Sequence, residues 1–255
     1  LFNTDPNMNI KKRQTVELID LEKLPWKKIN NNLSYKHLNG DIDNSEHTII
    51  LRSKPREPDS NYAHYHPINE EFYCLNGEFT FDGTSWFNQD SYAYYPAYFV
   101  HGAKVHIKKG YQLYLRASGK AIFEIIEKPI SNQPYIAENH ISDSNVIQIQ
   151  NISKYLLDNS KITPNGVNKI HLSYDNLSQT GSSIITLSKQ YEGKYFSLFS
   201  NDIVEIFFIE GEFKNNSMKS IYRNMYQCEI NELVELNFQC IKHGKLLISH
   251  GKNLD

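Results

Sequence analysis

The sequence predicts an all-β protein in which one antiparallel sandwich or barrel is present twice. Short runs of β-branched and aromatic residues recur along the chain, broken by Asn, Gly, Asp and Pro at roughly the 8–12-residue spacing of such folds. The chain holds 17 Tyr and 13 Phe, residues that suit a pleated, half-buried surface. A stretch of the first half also returns in the second. Glu71–Phe79 reads EFYCLNGEF and Glu205–Phe213 reads EIFFIEGEF, with Glu, Gly, Glu and Phe at the same places. The copies lie about 134 residues apart, far beyond a solenoid period of roughly 20–50 residues, so a whole domain is duplicated. A length of 255 residues is enough for two such domains.

Residues 1–7 (LFNTDPN) precede Met8 and are expected to be foreign to a native chain starting at Met8. The first domain is then expected over residues 8–130. Its strands are read from TVELIDLEKLPW (Thr15 onward), LSYKHLNG, HTIILRSK, EEFYCLNGEFTFDG, DSYAYYP, YQLYLRA and AIFEIIE. Lys128–Asn145 breaks the pattern with two prolines and many polar residues, so residues 131–145 are expected to form a linker and 146–255 the second domain. NVIQIQNISKYL near residue 145 echoes TVELIDLEKL, and Ser182–Lys189 echoes His47–Lys54. Ile152–Asn159 is the one short helix expected.

A net charge of −2 carries no basic footprint, so nucleic acid is not an expected partner. No apolar run approaches the ~18 residues of a membrane span. There is no signal-peptide pattern, and Cys74, Cys228 and Cys240 have no pairing pattern. Reduced thiols and a cytoplasmic protein are expected.

The chemistry concentrates in NYAHYHPINEEFYCLNGEF. His64 and His66 are two apart and share one face of a strand. Glu70 follows a turn containing Pro67 and Asn69, Gly77 ends the next strand, and His101 comes after Pro96. Three imidazoles and a carboxylate suit Zn, Fe, Mn, Ni or Cu. Glu71 is the rival carboxylate. Tyr62, two before His64, is the candidate acid/base phenol. Arg52, in an apolar strand, is the candidate clamp for a substrate carboxylate, against the plainer reading of an exposed or paired arginine. Cys74 is expected in the interior as a small hydrophobe, with a reactive thiol as the alternative.

The pattern H-x-H-x3-E-x6-G followed by P-x4-H resembles the two signature motifs of the cupin superfamily, matched at His64, His66, Glu70, Gly77, Pro96 and His101. It departs at Asp90 and Tyr98, where the family usually has glycines, and it lacks the terminal Asn. These are turn positions rather than ligands. The LPW element, the HYHPINEE turn and the GEFTFDG hairpin are similar to a subgroup containing the zinc-binding cupin of anti-sigma factors and small-ketone dioxygenases.

The resemblance implies a bicupin, two tandem jelly-roll barrels of which the second is degenerate. It implies one divalent transition metal per chain on His64, His66, Glu70 and His101, with Fe(II) foremost and Zn, Mn, Ni or Cu as alternatives. The implied function is a mononuclear non-haem Fe(II) dioxygenase acting on a small chelating keto or enol substrate. Alternatives are a non-redox lyase, isomerase or hydrolase with a Tyr acid/base, and a non-catalytic zinc-binding sensor. A homodimer is also implied. Aligning Gly211 on Gly77 puts Leu198, Ser200 and Val204 at the ligand positions and Glu235 near that of His101. The second barrel is therefore expected to be metal-free, serving to brace the first or to oligomerise.

Overall fold

A computed structural model of the chain describes residues 13–59, 63–137, 140, 145–159, 166–176, 179–251 and 254. The expected start at Met8 lies outside the described residues, as does Tyr62. In the first half, Glu70–Thr80 runs through the middle of a sheet, antiparallel to Val105–Ala117 on one side and Tyr92–Tyr95 on the other. His47–Ser53 and Leu33–Gly40 extend the sheet beyond Val105–Ala117. Alternation along the central strand sorts its side chains. Phe72, Cys74 and Phe79 join the barrel interior, while Glu71 and Tyr73 face the other half of the molecule. Cys74 is fully buried, and burial pushes its thiol up to about 12, which makes it the inert filler that its position in the strand predicts.

The second half is built on one long hairpin, Tyr195–Asn215 with Met225–His250, extended by Thr180–Leu187 and Val167–Asp175. Its interior is packed by Val204, Ile206, Phe208, Phe213 and Phe238. The single α-helix among the described residues, Ile152–Asn159, lies where the sequence puts it. Asn151 begins it, its side-chain oxygen accepting from the Lys154 amide at 2.7 Å.

Both hairpin glycines are required. Gly77 has φ +111°, and a Cβ there would lie 2.2 Å from the Gly110 carbonyl oxygen. Gly211 has φ +99°, and a Cβ there would lie 2.8 Å from the Gly244 Cα. At the two turn positions that depart from the signature motifs, the backbone keeps a glycine-like conformation without glycine: Asp90 has φ 71° and Tyr98 φ 66°. Such residues cost about 1 kcal/mol or more, which neighbours must offset. The Asp90 carboxylate accepts from Tyr73, Ser153 and Lys245. The Tyr98 ring stacks on His140, centroids 3.9 Å apart.

The halves do not part at the expected boundary, because each gives a strand to the other. Val16–Asp20 leaves the first half and pairs with the second, placing Val16 opposite Cys228 and Ile19 opposite Tyr226. Ile147–Ile149 does the reverse, with Ile147 opposite Tyr94 and Ile149 opposite Tyr92. Part of the expected linker is also structured, since Tyr135–Ile136 pairs with Phe99–Val100. Short strands carry no record of which sheet they complete, because strand pairing is non-local.

Between the barrels lies a core of Tyr73, Tyr92, Tyr114, Ile149, Phe207 and Tyr226 with their neighbours. Two repeat-related glutamates are buried in it. Tyr92 donates to Glu71 and Tyr226 to Glu205, each at 2.8 Å. Ser182 donates to Glu71 and Thr48 to Glu205, each reaching across to the glutamate of the other half. Arg116 spans the pair, 2.8 Å from Glu205 and 3.4 Å from Glu71, and Arg13 adds a contact to Glu205 at 3.2 Å. Burial pushes the Glu205 carboxyl up, but Arg13 and Arg116 more than reverse this and hold it below the usual carboxylate range.

Candidate metal centre

His64 begins a two-residue strand and faces His101 across an antiparallel bridge, each amide donating to the other's carbonyl at 2.9 Å. His66 is two residues on. The ring-nitrogen ligand atoms of His64, His66 and His101 all lie within 4.8 Å of one another. The spacing read from the sequence therefore does bring these three imidazoles together.

Their tautomers are set by the backbone. His66 Nδ1 lies 2.8 Å from the Ile122 carbonyl and His101 Nδ1 2.9 Å from the Phe99 carbonyl. A carbonyl only accepts, so each Nδ1 carries the proton and each Nε2 presents a lone pair. Burial holds both rings below their ordinary pKa, His101 well below, with the neighbouring His64 adding to the effect. Neutral imidazoles with free Nε2 lone pairs are the metal-binding form.

Glu70 opens the central strand, and its Oε2 lies 3.6 Å from His66 Nε2. Burial raises its carboxyl to about 7, against a downward pull from His64. The turn before it is pinned from both sides: the Asn69 backbone N–H donates to Ser118 Oγ at 2.9 Å, and the Asn69 side chain donates to Asp175 at 2.7 Å. Glu71, the rival carboxylate, points away into the inter-barrel core and is not at the centre.

The surroundings are aromatic. The rings of Tyr95 and Phe81 lie 5.1 and 5.6 Å from His101. Gln148, on the strand donated by the second half, bonds the Tyr95 hydroxyl at 3.1 Å. At the mouth, Phe123 approaches His66 at 4.5 Å and His64 at 5.0 Å while remaining 61% exposed. This corrects the reading of AIFEIIE as a barrel strand. Only Glu124–Ile125 is extended, paired with His64–Tyr65, so the segment crosses the opening and exposes its apolar side chains. Nothing in its periodicity marks it; the Ile122 carbonyl and the Phe123 ring are site components that sequence reading missed.

Arg52 is not brought to this centre. It alternates with Leu51, which packs on the barrel interior, and so faces outward. Its guanidinium lies 3.9 Å from the centre of the Trp26 ring and its Nε bonds Ser34.

Residues 14–120 match the family model of the ChrR cupin-like domain. Among solved structures, a candidate dioxygenase from Nostoc punctiforme superposes with a TM-score of 0.69 at 14% identity, over 97% of this chain and 88% of that one. An oxalate decarboxylase variant from Bacillus subtilis gives 0.58 at 11% identity, over 93% and 78%. A cupin 2 conserved barrel domain protein from Leptotrichia buccalis gives 0.58 at 8% identity, over 95% and 100%. At these identities the likeness is one of fold. No curated protein matches the sequence.

Proposed function

We propose that this bicupin, whose first barrel matches the ChrR cupin-like domain, is a mononuclear non-haem Fe(II) dioxygenase acting on a small chelating keto or enol compound. The observation that carries the reading is the donor set: three imidazoles within 4.8 Å, two of them with Nε2 freed by a carbonyl on Nδ1, and Glu70 beside them. His64, His66 and His101 would hold the ion, with Glu70 as the fourth donor. A bound Fe(II) supplies redox electrons and an electrophilic pull on a substrate oxygen.

The protein's own groups supply the rest. The Ile122 and Phe99 carbonyls keep protons on Nδ1 and fix the imidazole planes. Phe81 and Tyr95 give the His101 side an aromatic wall, and Phe123 stands at the mouth. Glu70, whose carboxyl burial raises to about 7, would take up an enol proton at Oε2.

The test is metal content by mass spectrometry on protein purified without oxygen, combined with oxygen uptake against a panel of 1,3-diketones and hydroxyketones. About one iron per chain and substrate-dependent oxygen uptake, both lost in His66→Ala, are expected. Equal turnover without oxygen would replace this reading by a non-redox lyase or isomerase. Tightly held zinc without turnover would replace it by a sensor.

A further inference from the structure

A cavity of about 390 Å³ lies away from the histidines, in the cleft where the barrels meet, and is lined among others by Trp26, Lys36, Tyr73, Asp90, Phe207 and Lys245. Its volume is within the range of small-ligand sites, which favour such interfaces. The charges around it fall into two groups. Glu22, Glu210 and Arg223 are exposed at the rim, where water screens them. Inside, Lys245 pairs with Asp90 at 2.8 Å, and their charges cancel.

Lys36 is left over. It is 7% exposed, and its Nζ donates to the Leu21 carbonyl at 2.7 Å and stands 5.0 Å from the centre of the Trp26 ring. Among the described residues, no carboxylate forms an ion pair with it. An ammonium carries three donors, and a buried charge is costly unless it is paired. The same indole also carries Arg52 at 3.9 Å, which likewise forms no ion pair among the described residues. Two cations thus converge on one ring; Lys36 is the buried one and lines the cavity with Trp26, whereas Arg52 is half-buried and lies outside the lining. A lysine needed only to hold the Leu21 carbonyl requires no charge.

We propose that this inter-barrel cleft binds a small organic carboxylate, its head held by Lys36 Nζ beside Trp26. One uncompensated buried positive charge matches a monoanion rather than a doubly charged phosphate. Asn76 and Gln112 line the same cavity and offer amide hydrogen bonds to the body of the ligand. The class is therefore small hydroxy- or oxo-carboxylates. Walls from both halves, Lys36 and Tyr73 from one and Phe207 and Lys245 from the other, make the site a product of the pairing of the barrels.

The test is calorimetric titration of the full chain with lactate and 4-hydroxybenzoate, using lactamide and 4-hydroxybenzamide as uncharged controls. Saturable binding of a carboxylate but not its amide is expected. Lys36→Met should weaken it at least about tenfold and Lys36→Arg should largely retain it. His101→Ala should leave it unchanged, which separates this site from the metal centre. Should Lys36→Met fail to fold, Trp26→Leu carries the same expected weakening. Undiminished binding in the folded variant, loss of binding in His101→Ala, or no saturable binding of either carboxylate to the parent protein would overturn the proposal.

Discussion

At the mouth of the first barrel His64 faces His101 across an antiparallel bridge; at the corresponding place in the second barrel Leu198 faces Leu236. Ser200 stands in place of His66 and Val204 in place of Glu70. Leu198, Val204 and Val234 belong to the apolar core there, so hydrocarbon fills the volume that donors occupy in the first copy. Other features are kept in both. Glu71 and Glu205 each accept from a tyrosine of the repeat, and Asp90 and Asn224 both hold a left-handed backbone. What both copies retain serves turns and the shared interface. What one copy alone carries is the cluster proposed to serve chemistry.

The largest effect expected from breaking this comparison is at the histidines. His66→Ala or His101→Ala should lower metal affinity by more than about 100-fold, and Glu70→Ala by less, with the barrel still folded. The counterpart change Leu198→Ala should leave metal content as it was and instead cost about 2–5 kcal/mol in denaturant unfolding. A metal loss in Leu198→Ala would show that the two sites are not independent.

Next in size is the buried charge cluster. Arg116 has no charged counterpart in the repeat, where Ser249 stands opposite Glu205 as Arg116 stands opposite Glu71, yet it spans both glutamates. Arg116→Met leaves Glu71 and Glu205 facing each other and should cost about 3–5 kcal/mol. The sign with pH follows from Glu205. Its folded pKa is depressed, so its contribution is present above the unfolded value near ~4.3 and is lost as pH falls through the folded one. Acid unfolding should therefore be steep in the parent. In Arg116→Met the Glu205 part of that slope should shrink, as measured by urea midpoints across the acid range.

The smallest effect separates the two glycine-like turns. Asn224→Gly removes the left-handed penalty and loses only a long bond to Glu22, 3.3 Å, so it should be neutral or stabilising by up to about 1 kcal/mol. Asp90→Gly gains the same relief but strands Lys245 and Tyr73, and should be net destabilising by about 1–3 kcal/mol. Thermal unfolding of the two variants side by side checks the sign.

The three clustered histidines and the all-β class were legible because both are periodic: two residues apart means one face of a strand, and aromatic runs between turn residues mean barrels. The Glu71–Glu205 pair was equally visible as the first letter of the repeated motif, and its meaning follows from its presence in both copies, of which one alone has the histidine cluster. Strand exchange was not legible, since Val16–Asp20 and Ile147–Ile149 look alike and only tertiary packing decides which sheet each completes. Arg52 shows the same limit. Its polarity in an apolar strand was plain, but alternation with Leu51 turns it outward onto Trp26.

The crossed strands also bear on how the chain is made. Val16–Asp20 leaves the ribosome before any of the sheet it will join, and the first barrel remains short of Ile147–Ile149 until that strand, well over a hundred residues later, has been synthesised. At about 5–20 residues per second, on the order of ten seconds pass between the two segments. For that interval the edge at Tyr92–Tyr95 is open to any extended peptide nearby. A nascent chain arrested before residue 147 would expose that edge, and a chaperone or a neighbouring nascent copy could occupy it.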